Sequence, residues 1–185
     1  MTEQQEKRLA LIPTLAENAP QRKIGRTALM KFMYFLQTLR QVPLGYRFTL
    51  YSYGPFDSNV LADLSVAESL SAVASETIFY PGGYGYDITA GTKAKWLQKR
   101  AERFLAKHEK DVRWVMERFG KFTSGQLELV STIIYVDREA ADADRSLRLS
   151  TLARQVNEIK PRFREAEILD FAEQLSKGRL LKASR

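Results

Sequence analysis

The sequence predicts an α+β protein, mostly helical, with a winged-helix-like core, a small antiparallel sheet and a C-terminal helical extension. Three observations carry this. Apolar residues recur at helical spacing through the first 40 residues and again from about residue 93 onward. Between them the pattern changes to alternating aromatic runs broken by Gly and Pro. The order that results is helix, helix, strand, helix, hairpin, helix.

The elements follow in chain order. Thr2 is a candidate N-cap for a helix to about Glu17, with Leu9, Ile12 and Leu15 on one face. Asn18-Ala19-Pro20 ends it. A second helix starts at Arg26 or Thr27 and is apolar nearly throughout Ala28–Leu36, so it should be buried on most sides. Pro43 and Gly45 lie beyond its end. Arg47–Tyr53 alternates as a strand, and Gly54-Pro55-Phe56 should break it. Asp57 or Ser58 then caps a third helix to about Ser71. Thr77–Tyr80 and Tyr84–Ile88 flank Pro81-Gly82-Gly83 and read as a hairpin, because glycine supplies the positive φ of a tight turn. Tyr86–Gly91 resembles a second wing strand running into a helix.

Thr89 or Thr92 opens one long helix to about Phe119, roughly 40 Å at 1.5 Å per residue. Thr123 or Ser124 caps the next, with Leu127, Leu129, Val130, Ile133, Ile134 and Val136 apolar. Glu139–Arg145 reads as a charged connector, followed by helices over about Leu147–Ile159 and Arg164–Leu175. Lys177–Arg185 is expected to fray. The division expected is a domain over 1–138 and a helical extension over 139–185.

Composition excludes several function classes. With no cysteine there is no disulfide, thiolate metal site or cysteine nucleophile. The polar Met1–Lys7 has no apolar leader segment, and no apolar run approaches the roughly 20 residues of a membrane span. A cytoplasmic protein with no membrane partner is expected. The net charge of +7 is unevenly spread. Residues 48–92 hold five Asp/Glu and no Lys or Arg, whereas residues 93–121 hold ten Lys/Arg against four acids.

No catalytic constellation stands out. His108, the single histidine, lies on the apolar stripe of its helix and is read as structural. Asp137, Glu139, Asp142 and Asp144 lack the glycine and terminal glutamate of a calcium loop, and interleaved Arg138 and Arg145 suggest a solvated, self-neutralising segment. No enzyme activity, metal or cofactor is expected. Lys31, the one charge within an apolar helical run, should be paired, and Asp57 and Asp63 are the nearest candidates in the pattern.

Two binding surfaces remain. Tyr51, Tyr53, Gly54, Pro55, Phe56 and Asp57 form an aromatic Gly-Pro motif. Its first reading is structural: period two puts Tyr51 and Tyr53 on one strand face, packed on Phe32 and Phe35. Its second is a partner-binding edge with the tyrosines as anchors. The basic helix offers Lys93, Lys95, Lys99, Arg100, Arg103 and Lys107, with Lys110 and Arg113 beyond. It reads as a solvated face or as a phosphate-contacting one.

Ala28–Gln37 resembles the Lys-Leu-Leu-Tyr-rich helix of Panacea-type (SocA-like) domains and YwgA-like proteins. Tyr51–Asp57 looks like their Tyr-Gly-Pro motif, and Phe122–Val136 is similar to a late Leu-rich helix of the YwgA-like proteins. The resemblance covers about residues 5–138. It implies a non-enzymatic module that binds a protein, as an antitoxin binds and neutralises a toxin, in a phage- or defence-associated setting. The expected function is macromolecule binding through a protein partner, the alternative being a nucleic-acid-binding regulator that uses the basic helix.

Overall fold

The computed structural model describes residues 1–184. Eight helices and four short strands are present among them. In chain order they are α1 (Glu3–Asn18), α2 (Arg26–Arg40), β1 (Thr49–Tyr51), β2 (Gly54–Phe56), α3 (Ser58–Ser69), β3 (Val73–Tyr80), β4 (Gly83–Ala90), α4 (Ala94–Arg100), α5 (Glu102–Phe119), α6 (Ser124–Asp142), α7 (Leu149–Ile159) and α8 (Glu165–Lys177). The fold is α+β and mostly helical, as the periodicities require. No helix among the described residues is long and apolar enough to cross a membrane.

The chain forms two compact units. The first comprises residues 1–49 and 56–123, the second residues 50–55 and 124–185. The boundary expected at 138 falls inside α6.

The first unit is organised on α1. Thr2 caps it, accepting from the Gln5 N–H at 3.2 Å. Leu9, Leu11, Ile12 and Leu15 are all buried, so more than the expected stripe faces protein. Helices α2, α3, α4 and α5 and strand β4 all pack on it. Helix α2 buries eight consecutive residues, Leu29–Leu36, and Phe35 stacks on Phe119 of α5 with ring centres 4.3 Å apart. The single long helix expected from Thr89 or Thr92 to Phe119 is instead two, α4 and α5, divided at Ala101, and Thr89 lies in β4. No proline or glycine marks that break. Both pieces pack on α1 and Ala101 is buried, so tertiary contacts override a helix-favouring sequence.

The β structure is two separate two-stranded sheets. The expected hairpin exists and is longer than the pattern suggested, pairing Val73↔Ala90 through Tyr80↔Gly83. Pro81 and Gly82, the latter at φ 95°, make its turn. The strand expected over Arg47–Tyr53 is only Thr49–Tyr51. The Gly-Pro-Phe expected to end it is its return partner, β2.

His108 is buried, lies tilted against Phe104 with ring centres 4.8 Å apart, and bonds Asp111 Oδ2 through Nδ1 at 2.8 Å. Arg40 Nη2 holds the other oxygen of Asp111 at 2.8 Å. Burial opposes ionisation of Asp111, but the His108 and Arg40 bonds outweigh it and hold its carboxyl below the usual range.

The second unit packs α6, α7 and α8 together. Here the acidic segment departs from expectation. Helix α6 continues through Asp142, so the supposed connector is mostly helical. Asp137 is fully buried rather than solvated. Its carboxylate accepts from the backbone N–H groups of Lys182 (2.6 Å), Ala183 (3.0 Å) and Ser184 (2.9 Å) and from Arg138 Nη1 (2.7 Å). The Leu147 N–H donates to Ala183 O at 2.9 Å. Residues 180–184, expected to fray, are therefore tied down, with Ala183 and Ser184 buried.

Two outcomes follow. Asp137→Ala strands three N–H donors and Arg138, and should cost about 3 kcal/mol of stability in urea denaturation. It should also open Arg179 and Lys182 to rapid tryptic cleavage; cleavage as slow as in the parent chain would refute the staple. For Asp111, the folded pKa lies below the unfolded one. Its contribution is thus complete above about pH 4 and lost as pH falls through the lowered folded value. Asp111→Asn should flatten the acid limb of a melting-temperature profile below that pH, and an unchanged slope would contradict the assignment.

Candidate functional site

Residues 51–55 of the Tyr51–Asp57 motif build the most distinctive surface feature of the second unit. Ser52 and Tyr53 form the two-residue turn between β1 and β2. Gly54 follows at φ 86°, a backbone region that glycine alone adopts without strain. A Cβ there would lie 3.0 Å from Thr132 Oγ1, 3.1 Å from Ser131 Oγ and 3.3 Å from Glu128 O. Glycine is required twice, by conformation and by the close approach to α6. Both hydroxyls donate back to Glu128 O, Ser131 at 3.0 Å and Thr132 at 2.8 Å, so the polar ridge under Gly54 is satisfied.

The turn is also held from its carbonyl side. Lys160 Nζ, just past the end of α7, donates to Tyr51 O at 3.2 Å and to Ser52 O. Its charge is balanced by Glu128 Oε1 at 3.2 Å, and Arg162 binds the other oxygen of Glu128. Lys160 and Glu128 are both buried. A buried ammonium is tolerable only with such a partner set. Gly54 and Pro55 are buried, while Tyr51 and Tyr53 are each 66% exposed.

This corrects the first reading of the motif. The tyrosines do not pack inward on Phe32 and Phe35. Tyr46 and Phe48 are the aromatics beside α2, with Phe48 edge-on to Tyr34 at 5.2 Å and to Tyr46 at 5.7 Å. Nor do Tyr51 and Tyr53 belong to one strand, since Tyr51 ends β1 and Tyr53 lies in the turn. Period two fixes facing only along a continuous strand.

The other members of the motif are structural. Phe56 is half-buried, and Asp57 caps α3, its Oδ1 accepting from the Asn59 N–H at 2.8 Å and its Oδ2 from the Arg47 N–H at 2.5 Å. Lys31 is 2% exposed, as an apolar helical run demands. Asp63 already carries Tyr46 Oη at 2.9 Å and Arg8 Nε at 2.9 Å. Burial raises the Asp63 carboxyl above its ordinary value, against the Tyr46 bond and the Arg8 charge.

All of Lys93, Lys95, Lys99, Arg100, Arg103 and Lys107 are exposed, yet they do not make one stripe, because the break at Ala101 divides them between two helices. Lys95 pairs with Glu17 at 3.1 Å, and Arg100 pairs with Glu6. Arg113 pairs with Glu109 at 2.6 Å. The cleft of about 420 Å³ beside α1 mixes Lys95, Lys99 and Arg113 with Glu102 and Glu109. The surface is therefore one of alternating sign.

Three features escaped sequence reasoning. Glu128 is an acid inside an apolar helical run, the same signal that singles out Lys31, and Asp137, read with the solvated acids, ends that run. Lys160, in the break between two helices, carries no sequence signal. The tip of the β3–β4 hairpin was read only as a turn, yet Phe79 is 83% exposed and Tyr80 and Tyr84 are exposed with it.

A scan against protein-family models finds none that matches this chain, and no curated protein matches it.

The clamp gives a direct test. Lys160→Met keeps the aliphatic stem but leaves Glu128 with Arg162 alone and two turn carbonyls without their donor. Amide exchange at Ser52–Gly54 should quicken about tenfold or more, with helices α6 to α8 retained by circular dichroism. Unaltered exchange would show that the lysine does not hold the turn.

Proposed function

We propose that this protein is a non-enzymatic protein-interaction module that seats its partner on the clamped turn bearing Tyr51 and Tyr53. One observation carries the reading: two largely exposed tyrosines sit on a turn immobilised by a buried ion pair and an obligatory glycine. A fold gains little from fixing a solvent-facing turn so firmly. A binding surface gains affinity, since ordering costs are met before the partner arrives. Tyr and Arg are the residues that dominate interface hot spots, and Arg162 lies in the same clamp with an exposed side chain.

The Panacea-type resemblance in Ala28–Gln37 and Tyr51–Asp57 supports a toxin-neutralising partner within this reading. Nucleic-acid binding is the weaker reading. Its cations are split between two helices, and three of the eight over 93–113 are paired with acids.

The test uses the full chain as bait in its host, followed by titration of the recovered partner. Tyr51→Ala with Tyr53→Ala should leave the melting temperature within about 3 °C, because the rings bury little in the free protein. It should weaken partner binding by about 30-fold or more. Normal binding by a folded double variant defeats the proposal. So would steeply salt-dependent binding to generic duplex DNA with no protein partner recovered.

A further inference from the structure

We propose a second docking site, in the other unit: the open edge of β3 accepts an extended, basic segment of a partner protein as a third strand of the hairpin.

The hairpin is secured at its base and along the lower half of β4. Ile88 and Val73 are buried, and the Ile24 and Ile88 backbones bond each other at 3.0 and 2.8 Å, which covers part of the outer edge of β4. Beyond Ser75, every residue of β3 is exposed. On the far side of β3, residues 74–80 bond no backbone other than β4 among the described residues. Such an edge is a template for a further strand. Natural sheets guard exposed edges with lysine, proline or bulges. This strand has neither Lys nor Pro, and its pairing with β4 runs unbroken over all eight residues. A two-stranded hairpin is marginal alone, and a third strand would relieve that.

Side chains flank the edge as a recognition surface would. On one face Phe79, Tyr84 and Tyr86 form an aromatic row with centres 6.5 and 5.9 Å apart. On the other, Tyr80 lies across Gly83 and Gly85 and donates to Tyr84 O at 3.0 Å. Main-chain bonds would supply affinity and these rings the specificity, as in other strand-addition complexes.

Charge selects the occupant. Residues 48–92 contain no Lys or Arg. Two of the nearby cations are engaged: Lys23 Nζ bonds Asp87 at 2.5 Å, and Arg26 lies 3.5 Å over the Tyr86 ring. Glu76 stands on β3 opposite Asp87, the acid that Lys23 bonds, and Glu68 accepts from Ser75 at its base. A strand carrying Lys or Arg between β-branched residues complements this edge. A second copy of β3 would set carboxylate near carboxylate, which sheets disfavour. Phosphate would be repelled likewise.

The experiment pans a random heptapeptide display library against the full chain and against its Glu76→Lys variant, a surface change that leaves the fold intact. The expected peptides alternate Lys or Arg with Val, Ile or Tyr and bind the variant about tenfold more weakly. In complex they should slow amide exchange at residues 75–79. The proposal is overturned if no peptide is enriched over the variant, or if the winners are acidic. It is equally overturned if bound peptides leave those amides unprotected, or if sedimentation shows a dimer that Glu76→Lys abolishes.

Discussion

A carboxylate removed from water must be supplied with donors, and α6 buries two of them. Glu128 and Asp137 are nine residues apart, two and a half turns, so they leave the helix on opposite sides about 13 Å apart along its axis. Each organises a segment that has little apolar surface of its own. Glu128 fixes Lys160 and Arg162, and through Lys160 the turn at Tyr51–Ser52. Asp137 fixes the N–H groups of residues 182–184. Apolar packing of α6, α7 and α8 forms the body of this unit; its irregular segments depend on these two acids.

Such an arrangement is costly to desolvate and pays little net stability, so it is better understood as specifying one conformation. At Glu128 the specified feature is the presentation of Tyr51 and Tyr53. Those side chains are large and amphipathic with few rotatable bonds, and a rigid backbone beneath them would reduce what remains to be ordered in the proposed binding. The geometry of the clamp and the exposure of the rings thus belong to one design. The hairpin of the first unit follows another logic, with its base buried, its tip bare and its open edge acidic.

Much of the secondary structure was legible because it depends on local periodicity. The positions of α1, α2, α3, α6, α7 and α8 follow from apolar spacing and from caps such as Thr2 and Asp57, which act within a few residues. The β3–β4 turn follows from Pro81-Gly82. The division at Ala101 was not legible, because alanine there favours helix and the break answers to packing on α1. The C-terminal residues looked free because their anchor, Asp137, lies more than 40 positions away.

By itself the sequence determined the α+β class, most helix boundaries, the burial of Lys31 and the need for a tight Gly-Pro geometry after Tyr53. These depend on hydrophobic period and on the backbone limits of single residues. Only the tertiary structure decided that Tyr51 and Tyr53 face solvent while Tyr46 and Phe48 take the place beside α2. An aromatic run states how much apolar surface is available. Which ring meets the core depends on where the chain turns, and that turn is set by Gly54 seated against Ser131 and Thr132 and by Lys160 reaching back across more than 100 residues.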